Sequence, residues 1–461
     1  MLKTINRKLE WSLLPTIFAL AGPTMLEQLL QTAVQYIDTA MVGSLGTHAT
    51  AAVGATSTIN WLISSSIAAL GVGFLAFIAK ACGAGDRELA KKASSQAVLA
   101  VLFSGIFFTI LTVALSPVIP VWMQVDANIR DLASRYFFII YSPMLFRTST
   151  IIFGTLLRAV GDSKTPMRIG ILVNVINVIL NILLIYPTRT LSILSFSFKA
   201  FGAGLGVEGA AIASATSFVV GGILISLAIW KHPDISPKGQ SFKPNKEVLK
   251  PCLRVAIPNM LQRFGTSLGY VAFAAMINSV GEVATAAHTI ANTVESAFYV
   301  PAYGMQTAAA TLAGNAYGAG DKKRMKNVTA LLIVIEVALM IITGGLLFIF
   351  APNMMMLFSK NASVIALGST VLRMVALSEP IYGVSIIIEG MMHGVGNTVT
   401  PFVFNLIGMW GIRIIGTFIC TQIFSFGLVS AWACMILHNI IIFVMFTISY
   451  LRGKWNPLYN N

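Results

Sequence analysis

The residues of this chain best suited to chemistry are polar side chains set inside long apolar runs. In QYIDTAMVGSLG (35–46), Asp38 places a carboxylate in an otherwise apolar stretch. Glu27, Gln31 and Asp38 fall at i, i+4 and i+11, on one helical face, with Gln28 and Gln35 beside them. Further on, NVINVILNILLIY spaces Asn174, Asn177 and Asn181 at i, i+3 and i+7, again on one face. An acid on one helix and amides on another can complete the oxygen shell of a monovalent cation, or hold a proton. Amides also join membrane helices for ~0.6 kcal/mol on average, so the Asn stripe alone reads equally well as interhelical adhesion. The acid decides, because an ionised group at mid-span costs ~2.5–3.5 kcal/mol to insert and is a functional candidate by default.

A second set of buried-looking charges lies in the later half: Glu295, Glu336, Glu379 and Glu389, with Arg263 and Arg413. Charges in an interior need partners, so Glu–Arg pairs are expected among them. The alternatives for Glu295, Glu389 and Arg263 are a packing role or a place in a substrate cavity. Metal chemistry is not expected. His48, His232, His288, His393 and His438 stand singly, and Cys82, Cys252, Cys420 and Cys434 lie far apart, with no zinc, redox or disulfide pattern. An enzyme is not expected either, since the loops offer only Asp126 and Asp131 and no nucleophile–base pairing.

The elements that carry these groups must be membrane spans. Only 10% of the residues are charged, against about 25% in soluble domains, and 56% are hydrophobic. Apolar stretches recur at 14–41, 50–79, 95–119, 131–157, 167–187, 208–230, 251–279, 285–315, 328–351, 364–392, 402–422 and 427–451, each near the ~20 residues that cross a bilayer. The expected fold is thus an all-α polytopic membrane protein with 12 transmembrane helices. With the N-terminus inside, 22 of the 31 Lys and Arg fall in inner segments and 5 in outer ones, which places both termini in the cytoplasm. The net charge of +14 then serves topology and anionic lipid headgroups, not nucleic acid. A cleaved secretory signal is not expected, because the first apolar segment is too long.

The chain also repeats itself. GAGD at 83–86 returns at 318–321, GDSKTP at 161–166 as GNTVTP at 396–401, Pro23 as Pro258, and SLGTHATAA at 44–52 as SVGEVATAA at 279–287. All four pairs share the offset 235. Six spans therefore repeat, giving an N-lobe over 1–230, a polar Pro-rich cytoplasmic linker over 231–250 and a C-lobe over 251–461. Six is even, so the two pseudo-symmetric lobes run parallel. GVEGAA (206–211) matches GLVSAW (427–432) at a shorter offset, which leaves about 14 extra residues in an outer loop at 188–206.

At this level of detail the sequence resembles the multidrug and toxic compound extrusion (MATE) transporters. The resemblance rests on AGPTMLEQLLQTAVQYIDTAMVGSLG, ATAAVG (49–54), ACGAGD, LLRAVGDSKTP and GVEGAAIAS, in order through both halves. It implies a secondary active exporter that exchanges H+ or Na+ for small amphiphilic or cationic organic compounds by alternating access. It further implies no cofactor, and a monomer in the cytoplasmic membrane. Asp38 matches the acid of the N-lobe cation site, Asn177 its asparagine, and Ser214 a position where many members have Thr. Asn181 stands where one branch has a second Asp, so a Na+ at Asp38, Asn177 and Asn181 would meet one carboxylate only. Pro23 matches a proline associated with bending of span 1. The substrate cavity would draw on Glu27, Gln31, Gln35, Asn174, Arg263, Glu295 and Glu389. The C-lobe acids of one branch are absent, with Thr266 and Tyr382 at those positions. The close rival within the same superfamily is a flippase for lipid-linked oligosaccharides or precursors, which would need a strongly basic cavity for pyrophosphate; the N-half spans offer little beyond Arg147.

Overall fold

The computed structural model describes residues 10–123, 125–193 and 196–459, so Lys3, Arg7 and Lys8 of the orientation count lie outside the described residues. The chain is helical almost throughout. In order come α1 (Leu14–Gly43), α2 (Thr47–Gly83), α3 (Arg87–Leu115), a single turn at Ile119–Trp122, α4 (Ala127–Tyr141), α5 (Met144–Ala159), α6 (Lys164–Ile185) and α7 (Gly206–Lys231). They are followed by α8 (Lys246–Asn278), α9 (Glu282–Gly318), α10 (Lys322–Met356), α11 (Ala362–Ala376), α12 (Glu379–Gly394), α13 (Val399–Ile423) and α14 (Leu428–Arg452).

Eight of these helices are individually long and apolar enough to cross a membrane. Two further spans are broken: α4 meets α5 at 50° and α11 meets α12 at 53°. With the more polar α8 and α9, the total is consistent with twelve spans. Both bends have a local cause. Pro143 caps α5 and Pro380 lies in the first turn of α12, and proline offers no N–H to continue the preceding helix. Within α13 the hydrogen-bond ladder widens to π-helical turns over Ile407–Ile414 and Ile419–Ile423.

The repeat has a visible physical basis in its turns. Gly85 and Gly320 adopt φ of 75° and 67°, and Gly161 and Gly396 adopt 92° and 83°, a region that costs glycine little. The residue after each closes a six-residue helix end: Asp86 N–H donates to Ala81 O (2.9 Å), Asp321 to Ala316 (3.1 Å), Asp162 to Leu157 (2.9 Å) and Asn397 to Met392 (2.9 Å). At three of the four the same side chain then starts the next helix. Asp162 Oδ1 accepts from Thr165 N–H at 3.0 Å, Asn397 Oδ1 from Thr400 N–H at 3.2 Å, and Asp321 Oδ1 from Arg324 N–H at 2.8 Å. GAGD and G-D/N thus end one span and cap the next within four residues.

The extra segment after α6 forms a hairpin and not a plain loop. β1 (Pro187–Ile193) pairs antiparallel with β2 (Phe196–Ala203), Leu191 opposite Phe198, with a bulge between Pro187 and Arg189. Alternation in TRTLSI and FSFKAF, flanked by glycines, suits paired strands better than free coil.

By packing, the chain divides into two units. One holds residues up to Met25, Leu75–Asp86 and everything from Lys250; the other holds Leu26–Phe74 and Arg87–Leu249. The division crosses α1 two residues past Pro23 and α2 between Phe74 and Leu75. In the first unit, Ile17 and Leu20 of α1 share a core with Met305 and Leu312 of α9, Leu331 of α10 and Ile387 of α12. In the second, α7 is held close to α5 and α6 through glycines. A Cβ at Gly222 would lie 2.6 Å from Phe146 O, and one at Gly209 2.5 Å from Leu184 O. That approach brings α6 and α7, which bear Asn177, Asn181 and Ser214, within side-chain reach.

Candidate functional site

The second unit assembles the first polar stripe. Asn181 Nδ2 donates to Asp38 Oδ1 at 2.6 Å and to Asn177 Oδ1 at 3.2 Å, and Asn177 Nδ2 donates to Ser214 Oγ at 3.2 Å. Three helices, α1, α6 and α7, are therefore linked through one polar cluster that holds the Asp38 carboxylate. Asn177 and Asn181 are buried, and Asp38 is half-buried. The Asn177 amide is best satisfied turned over. Turned over, its Nδ2 donates to Asp38 Oδ1 at 2.9 Å and Oδ2 at 3.2 Å while its oxygen accepts from Ser214. That setting suits an ionised Asp38. Asn181 Oδ1 is buried and accepts no hydrogen bond, which leaves one more oxygen for a cation. The donor set, one carboxylate with amide and hydroxyl oxygens, fits a hard monovalent cation or a proton.

The other members of that stripe disperse. Glu27, placed by spacing beside Asp38, instead gives its carboxylate to Arg158 of α5 at 2.6 Å. Gly170 lies beside it, where an added Cβ would only reach ordinary contact with Glu27 Cγ at 3.4 Å. Gln31 and Gln35 are exposed along α1, and Asn174 is half-buried outside the Asp38 group. Pro23 lies within a continuous α1, where Thr24 Oγ1 donates to Leu20 O at 3.0 Å.

Arg147 forms a separate polar centre in the same unit. Its Nη1 donates to Asn60 Oδ1 at 2.6 Å and its Nη2 to Ser64 Oγ at 2.7 Å. Tyr141 OH also reaches Asn60 Oδ1, at 3.1 Å, and the guanidinium lies 4.8 Å from the Phe218 ring centre.

In the first unit, Glu389 is held by amides from three helices. Gln262 Nε2 donates at 2.7 Å, Gln306 Nε2 at 3.2 Å and Asn405 Nδ2 at 3.3 Å, with His393 Nε2 3.7 Å away. Glu295, Glu336 and Glu379 are buried, and among the described residues neither oxygen of Glu336 has a hydrogen-bond partner. The expected Glu–Arg pairs do not form: among the described residues, none of these four acids makes an ion pair with Arg263 or Arg413. Arg413 instead lies over aromatic faces, 4.1 Å from the Phe273 ring centre and 4.9 Å from that of Tyr270, and Arg263 Nε donates to Asn259 Oδ1 at 3.0 Å. Aromatic faces attract the weakly hydrated planar Arg413 cation, while its Nε is buried without a hydrogen-bond partner among the described residues. The cysteines are also closer than sequence suggested, with Cys420 Sγ 3.9 Å from Cys434 Sγ.

The MatE family model matches residues 23–183 and again 258–419, beginning at Pro23 and at Pro258. This chain belongs to the MatE family. Among curated relatives, it is 27% identical over 439 residues to a probable multidrug resistance protein NorM of Thermotoga maritima, covering 95% of this chain and 92% of that one. It is 26% identical to the probable multidrug resistance protein YoeA of Bacillus subtilis, over 89% and 87% of the two chains. A solved outward-facing multidrug resistance MATE transporter of the MOP superfamily shares the fold, with TM-score 0.88, 23% identity and coverage of 97% and 96%.

As a MatE member the chain is an integral membrane transporter, not an enzyme. Asn60, Ser64 and Arg158 were missed as partners, although the repeat carries a signal for some of them. Asn60 and Ser64 stand at the repeat positions of Glu295 and Tyr299, and Arg158 at that of His393. Polar groups recurring at equivalent depths of two halves mark interior positions even where neither residue looks functional alone. Gln262 carried that mark too, opposite Glu27, whereas Gln306 and Asn405 had none, because their N-half counterparts are Gly71 and Gly170.

Proposed function

We propose that this MatE member is a cation-coupled exporter of small amphiphilic or cationic organic compounds, with Asp38 as the coupling carboxylate. The observation that carries the reading is the polar cluster on Asp38: Asn181 donates to its carboxylate, and Asn177 links Asn181 and Ser214 beside it. Asp38 alternately binds and releases a proton or Na+, and the two repeats alternate access to opposite sides of the membrane. With Asn at 181 one carboxylate serves the site, which suits a proton better than Na+. Glu27 does not supply the second charge, because Arg158 already neutralises it. The protein sits in the cytoplasmic membrane with both termini inside, in the lobes 1–230 and 251–461 joined by 231–250, and works as a monomer surrounded by lipid. The name that curated relatives share, multidrug resistance, supports organic amphiphiles as substrates.

The test is dye efflux from proteoliposomes under separately imposed proton and sodium gradients. Efflux driven by either gradient alone supports the reading and names the ion. Efflux that is indifferent to both removes it.

A further inference from the structure

We infer that Arg147 is a recognition residue for the carboxylate of a zwitterionic amphiphile, an anion subsite within the second unit; this rests on the exporter reading above. An arginine inside a span is costly and calls for a partner. Among the described residues, no carboxylate lies within ion-pair reach of Arg147. Its neighbours are neutral: Asn60 Oδ1 at 2.6 Å, Ser64 Oγ at 2.7 Å and the Phe218 ring at 4.8 Å. The nearby acids of the unit are committed elsewhere, Asp38 to Asn181 and Glu27 to Arg158. Two N–H groups, with Tyr141 as a further hydrogen-bonding neighbour, fix the plane of the guanidinium. Arg147 is only half-buried, as are Asn60, Ser64 and Phe218. A held guanidinium without a carboxylate partner suits capture of a planar anion.

The fold itself does not require an arginine here. The repeat places Tyr382 at the position of Arg147, Glu295 at that of Asn60 and Tyr299 at that of Ser64. In that half, neutral Tyr382 packs edge-on against Tyr299 with ring centres 6.5 Å apart. The same helix junction is thus built without a cation, which leaves binding as the use for the charge at 147.

The experiment measures binding of rhodamine B, a zwitterion with a free carboxylate, and of its ethyl ester, a cation of nearly the same shape. Fluorescence anisotropy is read on the purified full-length chain in a neutral maltoside detergent. Arg147→Gln should weaken rhodamine B by about tenfold, the scale of one charge-assisted hydrogen-bonded contact, and leave the ester within about twofold. Asn60→Asp keeps the arginine and gives it an internal carboxylate, so it should weaken rhodamine B similarly while pairing a charge; it decides the matter if Arg147→Gln does not fold. Unchanged rhodamine B affinity in either folded variant, or an equal loss of both dyes, overturns the assignment while leaving the exporter reading intact. Binding of neither dye by the wild type overturns the exporter reading and this inference together.

Discussion

Glu27 and Arg158 form an ion pair at 2.6 Å between α1 and α5, and their counterparts at the repeat offset are the uncharged pair of types Gln262 and His393. Around the second pair the acid has moved to Glu389, which occupies the counterpart position of Gly154, and Gln262 donates to it at 2.7 Å. Both halves therefore keep a carboxylate within hydrogen-bonding reach at this level, supplied from different helices. The polar link between the first and fourth spans of each half is thus made with the acid on a different helix.

The ion pair is mostly buried, with side chains 21% and 15% exposed, so breaking it strands a charge. Glu27→Gln and Arg158→Gln should each lower stability by about 2 kcal/mol, below the ~3–5 kcal/mol of a fully buried pair. The double variant should be milder than the sum of the two, because it leaves no lone charge. Thermal unfolding in detergent reads this directly. Additive losses would mean the two side chains act independently.

Gly83 and Gly318 test the packing of the first unit. A Cβ at Gly83 would overlap the Asn315 carbonyl, and one at Gly318 would overlap the Lys80 carbonyl. Lys80 and Asn315 are themselves one repeat apart, so the two contacts are reciprocal. Backbone cannot yield as a side-chain tip can. Gly83→Ala and Gly318→Ala should therefore each cost about 1–3 kcal/mol. Gly345→Ala, with nothing within 4 Å, should instead be neutral or stabilise by up to about 1 kcal/mol. Unfolding temperatures of the three variants check the order.

The repeat was legible because its turns need particular residues: a left-handed glycine followed by an acid or amide that caps the next helix. The Asp38–Asn177–Asn181 group was legible because helical spacing puts an acid and two amides on defined faces. Pairings across elements were not. Nothing in the sequence says that Arg158, which reads as a cytoplasmic charge, takes Glu27, or that Arg413 prefers aromatic rings to a carboxylate. The bends at Pro143 and Pro380 were marked by Ser-Pro and Ser-Glu-Pro, but a span-length hydropathy window runs through both breaks unchanged. The β1–β2 hairpin lay in a segment whose match to the other half stops, so only alternation over six or so residues signalled it.

Cys420 of α13 and Cys434 of α14 stand 3.9 Å apart at sulfur, nearly 2 Å more than the ~2.05 Å of a disulfide. A rotamer change can close that gap. Mild oxidation with copper phenanthroline should therefore remove two of the four free thiols without dimerising the chain. Peptide mapping under non-reducing conditions should find the 420–434 link. Cys434→Ser should abolish it. Retention of all four thiols would mean that the two helices hold the sulfurs too rigidly to meet.

Asp38→Asn tests the coupling role, because it changes charge while keeping shape. Asn181 Nδ2 can still donate to the oxygen at position 38, so the 2.6 Å contact survives and the helices should pack as before. Removing an ionisable group from a span also relieves a desolvation cost, so expression and unfolding temperature should match or exceed the wild type. What is lost is the exchangeable positive charge. Gradient-driven efflux should fall to background, while dye binding persists. Asn181→Asp adds a second carboxylate beside Asp38 and should shift the drive towards Na+, since two acids neutralise a sodium ion and leave its remaining oxygens to Asn177 and Ser214. Paired proteoliposome assays, with a proton gradient in one arm and a sodium gradient in the other, separate the effects. Wild-type efflux from Asp38→Asn under the same gradient would make Asp38 a packing residue and move coupling to the buried acids of the other half, Glu336 first, whose carboxylate oxygens have no hydrogen-bond partner among the described residues.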